Sequence, residues 1–439
     1  MALSGIQIYK MLPQTNCKEC GFPTCLAFAM KLAAKQIELA ACPYVSEESK
    51  SQLAESSAPP IRLVALKSNG FEVKAGNEVV LFRHEKTFYN KPGIFVKVSD
   101  DIPVEEIKAQ VAQANAYSTN YVGIDLVIDG YAVESQGSGA GKFTSAICAV
   151  REATHKPLIL SSQDPAIMAE GLRVVEGEVP LIYSADAGNW EAMADLAKQY
   201  KAALAVTAPT LEELAELTEK IKAKGVEDLV LDPDGQGMNS AIIKNTQIRR
   251  LALKKNFRSL GYPTISFPVD EASAAQAIAK YSGFVVLDHF APELVYPLLV
   301  LRQNIYTDPQ KPIQVQPGLY EINNPKPEDP LLVTTNFSIT YFSVANEVEG
   351  SGLPAWLLVA DAEGMSVLTA WAAGKFDAER IAKSVKAFNV TDKVSRKRIV
   401  LPGHVAVLSG ELEGELPGWD IRVGPREAVD LPAFMKKAL

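Results

Sequence analysis

Four of the five cysteines fall within the first 42 residues, spaced Cys17-x2-Cys20-x4-Cys25-x16-Cys42. Thiolate is a soft ligand and selects zinc, Cu(I) or iron–sulfur centres. Structural zinc usually takes two close Cys or His pairs. Here one pair is followed by two cysteines at unequal spacing, with no histidine nearby. Three thiolates on one loop and a distant fourth suit the corners of an iron–sulfur cube. Gly21 and Pro23 tighten that loop. Cys25 is expected to open an Ala-rich helix within residues 23–41, whose first amides can hydrogen-bond cluster sulfurs. A [4Fe–4S] centre is the first reading and structural zinc the alternative. Cys148, in the helical pattern SAICAVREA, is expected to be a buried core thiol.

Other candidates carry less chemistry. The run Gly137-Ser138-Gly139-Ala140-Gly141-Lys142 resembles a phosphate loop. It lacks Gly at Gln136 and a hydroxyl at Phe143, so it reads as a strand-to-helix loop. His84, His155, His289 and His404 form no spaced metal pair. His289 follows a predicted strand, as do Asp232 and Asp234, and together they are the catalytic set of a barrel-enzyme alternative. Trp356, Trp371 and Trp419 crowd the C-terminal region, and small residues flank Trp371, which suits core packing or a flat apolar ligand.

These residues need elements to position them. The 439-residue chain is 47% hydrophobic and 22% charged, with a net charge of −8. That composition excludes a disordered chain, and the acidic balance argues against nucleic acid and against a polybasic membrane anchor. No apolar run is long enough to span a bilayer, and the N-terminus lacks a signal-peptide pattern, so a cytoplasmic protein is expected. Residues 1–57 hold the cysteines and end in the linker-like ESSAPP. Residues 61–306 open with an expected hairpin, IRLVALK and EVVLF. Eight β-rich runs follow, each trailed by a helical pattern: GIFVKVS, YVGIDLVID, PLILSS, PLIYSAD, ALAVTAP, DLVLDPD, TISFPV and FVVLDH. Eight such units predict a TIM (β/α)8 barrel, with an open doubly wound sheet as the alternative. Residues 307–330 carry six prolines and read as an extended connector. Residues 331–439 read as a small α/β domain.

The cysteine spacing with Gly21, Pro23 and Thr24, the barrel-like middle, and the segments TTNFSITYF and LTAWAAGKF together resemble the large (gamma) subunits of corrinoid iron–sulfur proteins. Those proteins serve the anaerobic acetyl-CoA (Wood–Ljungdahl) pathway of carbon fixation and the acetyl-CoA decarbonylase/synthase complex. The resemblance spans the whole chain. It implies a [4Fe–4S] cluster on Cys17, Cys20, Cys25 and Cys42, and a barrel that pairs with a smaller TIM-barrel subunit as a heterodimer. It also implies a Rossmann-like C-terminal domain that binds a cobamide, base-off and without a protein lower ligand. The Asp-x-His-x-x-Gly signature of His-ligated cobalamin proteins is indeed absent. The matching segments imply corrinoid contacts at Thr335, Asn336, Phe337 and Thr340. They imply others at Leu368, Thr369, Ala370, Trp371, Ala372 and Ala373, and at Gly403, His404, Gly424 and Pro425.

The resemblance further implies a methyl carrier rather than a stand-alone enzyme. Co(I) takes a methyl group from methyltetrahydrofolate on a methyltransferase. Methyl–Co(III) passes it to the nickel site of acetyl-CoA synthase in the CO dehydrogenase/acetyl-CoA synthase. The cluster, fed by a low-potential donor such as ferredoxin, returns Co(II) to Co(I). Two alternatives stand beside it: a cobalt-free iron–sulfur barrel methyltransferase and a zinc-stabilised interaction scaffold.

Overall fold

The structure is a computed structural model and describes residues 5–33, 37, 39–46, 49–50, 53, 59–82, 85, 88–233, 237–307 and 313–438. Most of the ESSAPP linker, His84 and Asp234 lie outside the described residues. The described chain divides into two units, one of residues 1–117 and 127–306, the other of residues 118–126 and 307–439. Among the described residues no helix is long and apolar enough to cross a membrane.

In the first unit, the helices Gly5–Met11 and Cys25–Ala33 pack on a small apolar cluster that includes Ile8, Leu12, Phe28 and Ala29. Downstream, eight parallel strands close into a barrel: Gly93–Ser99, Gly130–Glu134, Leu158–Ser161, Leu181–Ala185, Ala203–Thr207, Leu229–Asp232, Thr264–Ser266 and Ser282–Leu287. The last strand pairs with the first, Phe284 opposite Gly93, so closure is complete. Side chains alternate inward and outward as the two-residue period requires. Phe95, Ala132, Ile159, Ala205, Val230 and Phe284 share the inner core. Ile94, Val96, Leu160 and Leu204 are equally buried and lie at the alternate positions, toward the helices.

Two expected strands fall elsewhere. YVGIDLVID is not the second barrel strand, which is Gly130–Glu134. It folds instead into the short hairpin Thr119–Tyr121 and Ile124–Leu126, because Val122 and Gly123 both take positive φ and reverse the chain. That hairpin belongs to the second unit, where Gly123 lies against Phe342. Likewise EVVLF is not a strand. The hairpin partner of Val64–Ser68 is Phe71–Ala75. Asn69 and Gly70, both at positive φ, form the two-residue turn. Val64, Leu66 and Ala75 of this hairpin join the inner barrel core and close its N-terminal end.

The second unit is an open five-stranded sheet. Its order is Gly318–Ile322, Ala355–Ala360, Leu331–Thr335, Arg398–Leu401 and Asp420–Val423. Only the first strand is antiparallel. It lies inside the segment expected to be an extended connector. Leu319, Tyr320 and Ile322 pack on the sheet's apolar clusters, so this part of the proline-rich stretch is an edge strand. Alternate residues of the central strands face opposite cores. Leu331, Val333, Leu358 and Ile399 pack with Ile381, Val385 and Leu412 on one side. Leu332, Leu357 and Val400 pack with Val348, Leu431 and Met435 on the other. Helices therefore cover both faces of the sheet.

Candidate functional site

The second unit contains a crevice where its strand order reverses. The chain leaves Leu331–Thr335 through helix Ser338–Ser351 to reach Ala355–Ala360 on one side. It then crosses back to Arg398–Leu401 on the other side. Ligands of open α/β sheets bind outside the carboxyl ends of the strands at such a point. Here the two central strands pair only through Leu331–Ile399 and Leu332–Val400 and then splay. A cavity of about 310 Å³ opens above the last pair.

Of the sequence-predicted contacts, Thr340, Leu368, His404, Gly424 and Pro425 line this cavity. Leu368, Thr369, Trp371, Ala372 and Ala373 are exposed on the short helix Val367–Ala372 and its end, while Phe337 and Gly403 are half-buried. Thr335, Asn336 and Ala370 are buried. Sequence reasoning missed Thr334, Ser343, Ser366, Pro402 and Arg426, which also line the cavity. The signal for Thr334 and Pro402 was available: each stands at the carboxyl end of a predicted apolar run. His404 Nε2 lies 3.6 Å from Glu427 Oε1, on the cavity wall.

Gly403 shows why this wall is built as it is. A Cβ there would lie 2.6 Å from the Gly424 carbonyl oxygen and 2.7 Å from the Pro425 carbonyl carbon. Gly403 N–H donates to the Pro425 carbonyl at 2.9 Å. Only glycine lets the two loops touch at this point.

The crevice also fits a ligand rich in hydrogen-bonding groups. The hydroxyls of Thr334, Thr335 and Ser338 are buried and have no hydrogen-bond partner. Buried hydroxyls are normally paired, and of these three Thr334 lines the cavity, where a partner from outside the chain can reach it. Exposed Ile339 and Leu368 line the cavity and add apolar surface. A cobamide, with an apolar ring face and a fringe of amides, matches that combination.

The N-terminal cysteines stand differently. Cys25 and Cys42 are buried in one apolar cluster, Cys20 packs at its edge, and Cys17 is exposed. All are free thiols. Cys25 begins its helix as expected. Its N–H donates to Asn16 Oδ1 at 2.8 Å, and Asn16 N–H donates to Cys25 Sγ at 3.4 Å. Gln14, Asn16, Lys18 and Gly21 all take positive φ, which curls the backbone tightly through the loop. The Tyr44 phenol donates to Glu19 at 2.8 Å. The Glu19 carboxylate, first by that bond and then by its charge, raises the Tyr44 pKa, with a smaller push from Cys17. Among the described residues no three metal-ligating side chains are gathered at ligating distance. The donor chemistry, four uncombined thiols with an amide already on one sulfur, fits an iron–sulfur cluster.

The barrel mouth holds the remaining candidates. Asp232 accepts from the Tyr183 hydroxyl at 2.6 Å. His289 is exposed. Lys97 pairs with Asp288 and lies 3.6 Å from Glu134. Burial opposes the Lys97 charge, but the Asp288 hydrogen bond and both carboxylates outweigh it and raise its pKa. Gly139 ends its loop uncapped before helix Ala140–Ala153. Cys148 on that helix is exposed, not buried as expected, because it lies opposite the inward stripe Phe143, Ala146, Ile147 and Val150.

The fold and its sites define a class: a barrel protein with a cysteine loop at one end of its chain and an open α/β crevice at the other. Residues 64–435 match the family model described as "CO dehydrogenase/acetyl-CoA synthase delta subunit". Residues 12–44, which hold all four clustered cysteines, match the one described as "Putative Fe-S cluster". The chain is 46% identical to the corrinoid/iron-sulfur protein large subunit of Moorella thermoacetica over 100% of both chains. It is 34% identical to the acetyl-CoA decarbonylase/synthase complex subunit gamma of Methanopyrus kandleri, over 99% of this chain and 98% of that one. A dihydropteroate synthase from Xanthomonas albilineans aligns with 56% of this chain and 100% of that one, at 14% identity and a TM-score of 0.37, too low to carry an argument. The chain belongs to the family of corrinoid/iron–sulfur protein large subunits, whose archaeal members are named acetyl-CoA decarbonylase/synthase subunit gamma.

Proposed function

We propose that the chain is a cytoplasmic methyl carrier. It receives a methyl group from methyltetrahydrofolate through a separate methyltransferase and presents it to the nickel site of acetyl-CoA synthase. The observation that carries this reading is the splayed crevice at the strand-order reversal, lined by the unpaired Thr334 hydroxyl. When bound, the cobamide's cobalt takes and releases the methyl group, and the [4Fe–4S] cluster keeps the cobalt reduced.

The chain's own residues bind, orient and shield. Thr334 supplies a hydroxyl for an amide group of the cofactor, and Leu368 and Trp371 supply apolar cover. The C-terminal unit is thus read as a Rossmann-like corrinoid domain. His404, the one histidine of residues 331–439, lies in Pro-Gly-His-Val-Ala and not in an Asp-x-His-x-x-Gly motif, in keeping with a cobamide held without a lower protein ligand. Cys17, Cys20, Cys25 and Cys42 would hold the cluster, and the Asn16 amide stabilises negative charge on one sulfur. A smaller barrel subunit, the methyltransferase, the CO dehydrogenase/acetyl-CoA synthase and a ferredoxin-like donor are the partners.

Metal analysis of anaerobically purified protein, made with its small subunit and supplied with cobamide, tests the reading. About four iron and one cobalt per chain pair are expected, with a base-off spectrum. Iron without cobalt would shift the function to the barrel, and zinc without iron would end the redox role.

A further inference from the structure

Asn336 was expected to touch the corrinoid, yet it is 1% exposed and its side chain is fully engaged inside the second unit. Nδ2 donates to Gln314 Oε1 at 3.2 Å and to Asp361 Oδ1 at 3.1 Å. Oδ1 accepts from Ala362 N–H at 2.9 Å and Gly364 N–H at 3.0 Å. Two donors and two lone pairs are all that a carboxamide has, so no capacity is left for a ligand.

The partners matter because of where they lead. Asn336 follows the last residue of one crevice-forming strand, and the helix that brings Ile339, Thr340 and Ser343 to the cavity begins two residues on. Residues 361–364 lead to Ser366, Val367 and Leu368 on the cavity's rim. One amide therefore pins both loops. Its remaining partner, Gln314, comes from the proline-rich segment. Val315 N–H donates to the Asn336 carbonyl at 2.9 Å, and Ser338 N–H donates to the Ile313 carbonyl at 3.1 Å. Gln314 bridges to Phe337, and its side chain lies so close to Gly364 that a Cβ there would approach it to 2.6 Å.

We propose that Gln314, Asn336 and Asp361 form a latch that makes residues 313–315 part of the cobamide site, with Asn336 a positioning residue and not a contact. Ordering of this segment and binding of the cofactor then favour each other, as linkage requires. The inference rests on the cobamide reading above. It gives the proline-rich segment a role besides that of spacer: its residues 313–315 report whether the crevice is loaded.

The test measures amide hydrogen exchange and hydroxocobalamin affinity on the full-length protein in its native assembly. Gln314→Leu keeps the volume and removes the acceptor; Gln314→Glu keeps the acceptor. In the wild type, hydroxocobalamin should slow exchange in residues 313–316 as well as in 361–364. Gln314→Leu should speed exchange in 313–316 and weaken binding by about fivefold, the worth of one hydrogen bond. Gln314→Glu should stay within about twofold of wild type, a rescue that simple loss of packing would not give. Cofactor protection confined to 361–364, or unchanged affinity in Gln314→Leu, overturns the latch while leaving the cobamide site standing. Failure of the wild type to bind hydroxocobalamin overturns both.

Discussion

Cys25 accepts a hydrogen bond from Asn16 N–H, while Cys20 packs at the edge of the apolar cluster that buries Cys25 and Cys42. Each thiolate of a four-cysteine centre is a bond to iron, and no spare cysteine is near in the sequence to replace a lost one. Cys20→Ala is therefore expected to lower iron content to less than about half and to abolish reductive reactivation. Methyl transfer from chemically pre-reduced protein should persist. Iron assay with single-turnover methyl transfer checks this, and normal reactivation would contradict the repair role. At this scale the chemistry was legible because ligand type and spacing are written directly in the chain. Burial was not: Cys148 sits in a helical pattern, and only packing decides that its side chain faces outward.

Loops touching loops build the crevice wall. Gly403→Ala would drive a Cβ into the backbone of Gly424 and Pro425, where no side chain can swing away. The expected cost is about 1–3 kcal/mol of stability, with weaker cobamide binding because residues 402–405 must move. Denaturant titration and cobalamin binding on one sample set check it, and unchanged values in both would refute the account. The elements themselves were largely readable. Seven of the eight barrel strands follow their apolar runs, because a strand buried on both faces needs a continuous run. The exception, YVGIDLVID, shows the limit. Its run is apolar enough for a barrel strand, yet Val122 and Gly123 at positive φ turn it into a hairpin. Asn69-Gly70 was a strong turn signal that the EVVLF reading passed over.

Separate cores give the two units separate stabilities. Ile322 is buried on the edge strand of the second unit only. Ile322→Ala should lower that unit's unfolding free energy by about 2–4 kcal/mol and leave the barrel's transition in place. Tryptophan fluorescence is suited to the measurement, since Trp356, Trp371 and Trp419 lie in the second unit and Trp190 in the first. A parallel loss in both transitions, read against barrel circular dichroism, would show that the units unfold as one.

Composition, ligand chemistry and hydrophobic period are local properties, and they determined the clustering of the cysteines, the alternation of strand and helix, and the resemblance to the family. Tertiary structure decided what depends on residues far apart in the chain. It closed the barrel by setting Phe284 beside Gly93. It drew Gly318–Ile322 out of an apparent connector, because an edge strand needs a partner, and that partner is the distant stretch 355–359. It buried Asn336, whose amide is polar by type but whose four partners come from three separate residues of one loop and from the proline-rich segment. Hydrogen-bond satisfaction is a property of the folded neighbourhood, and no window of sequence contains it.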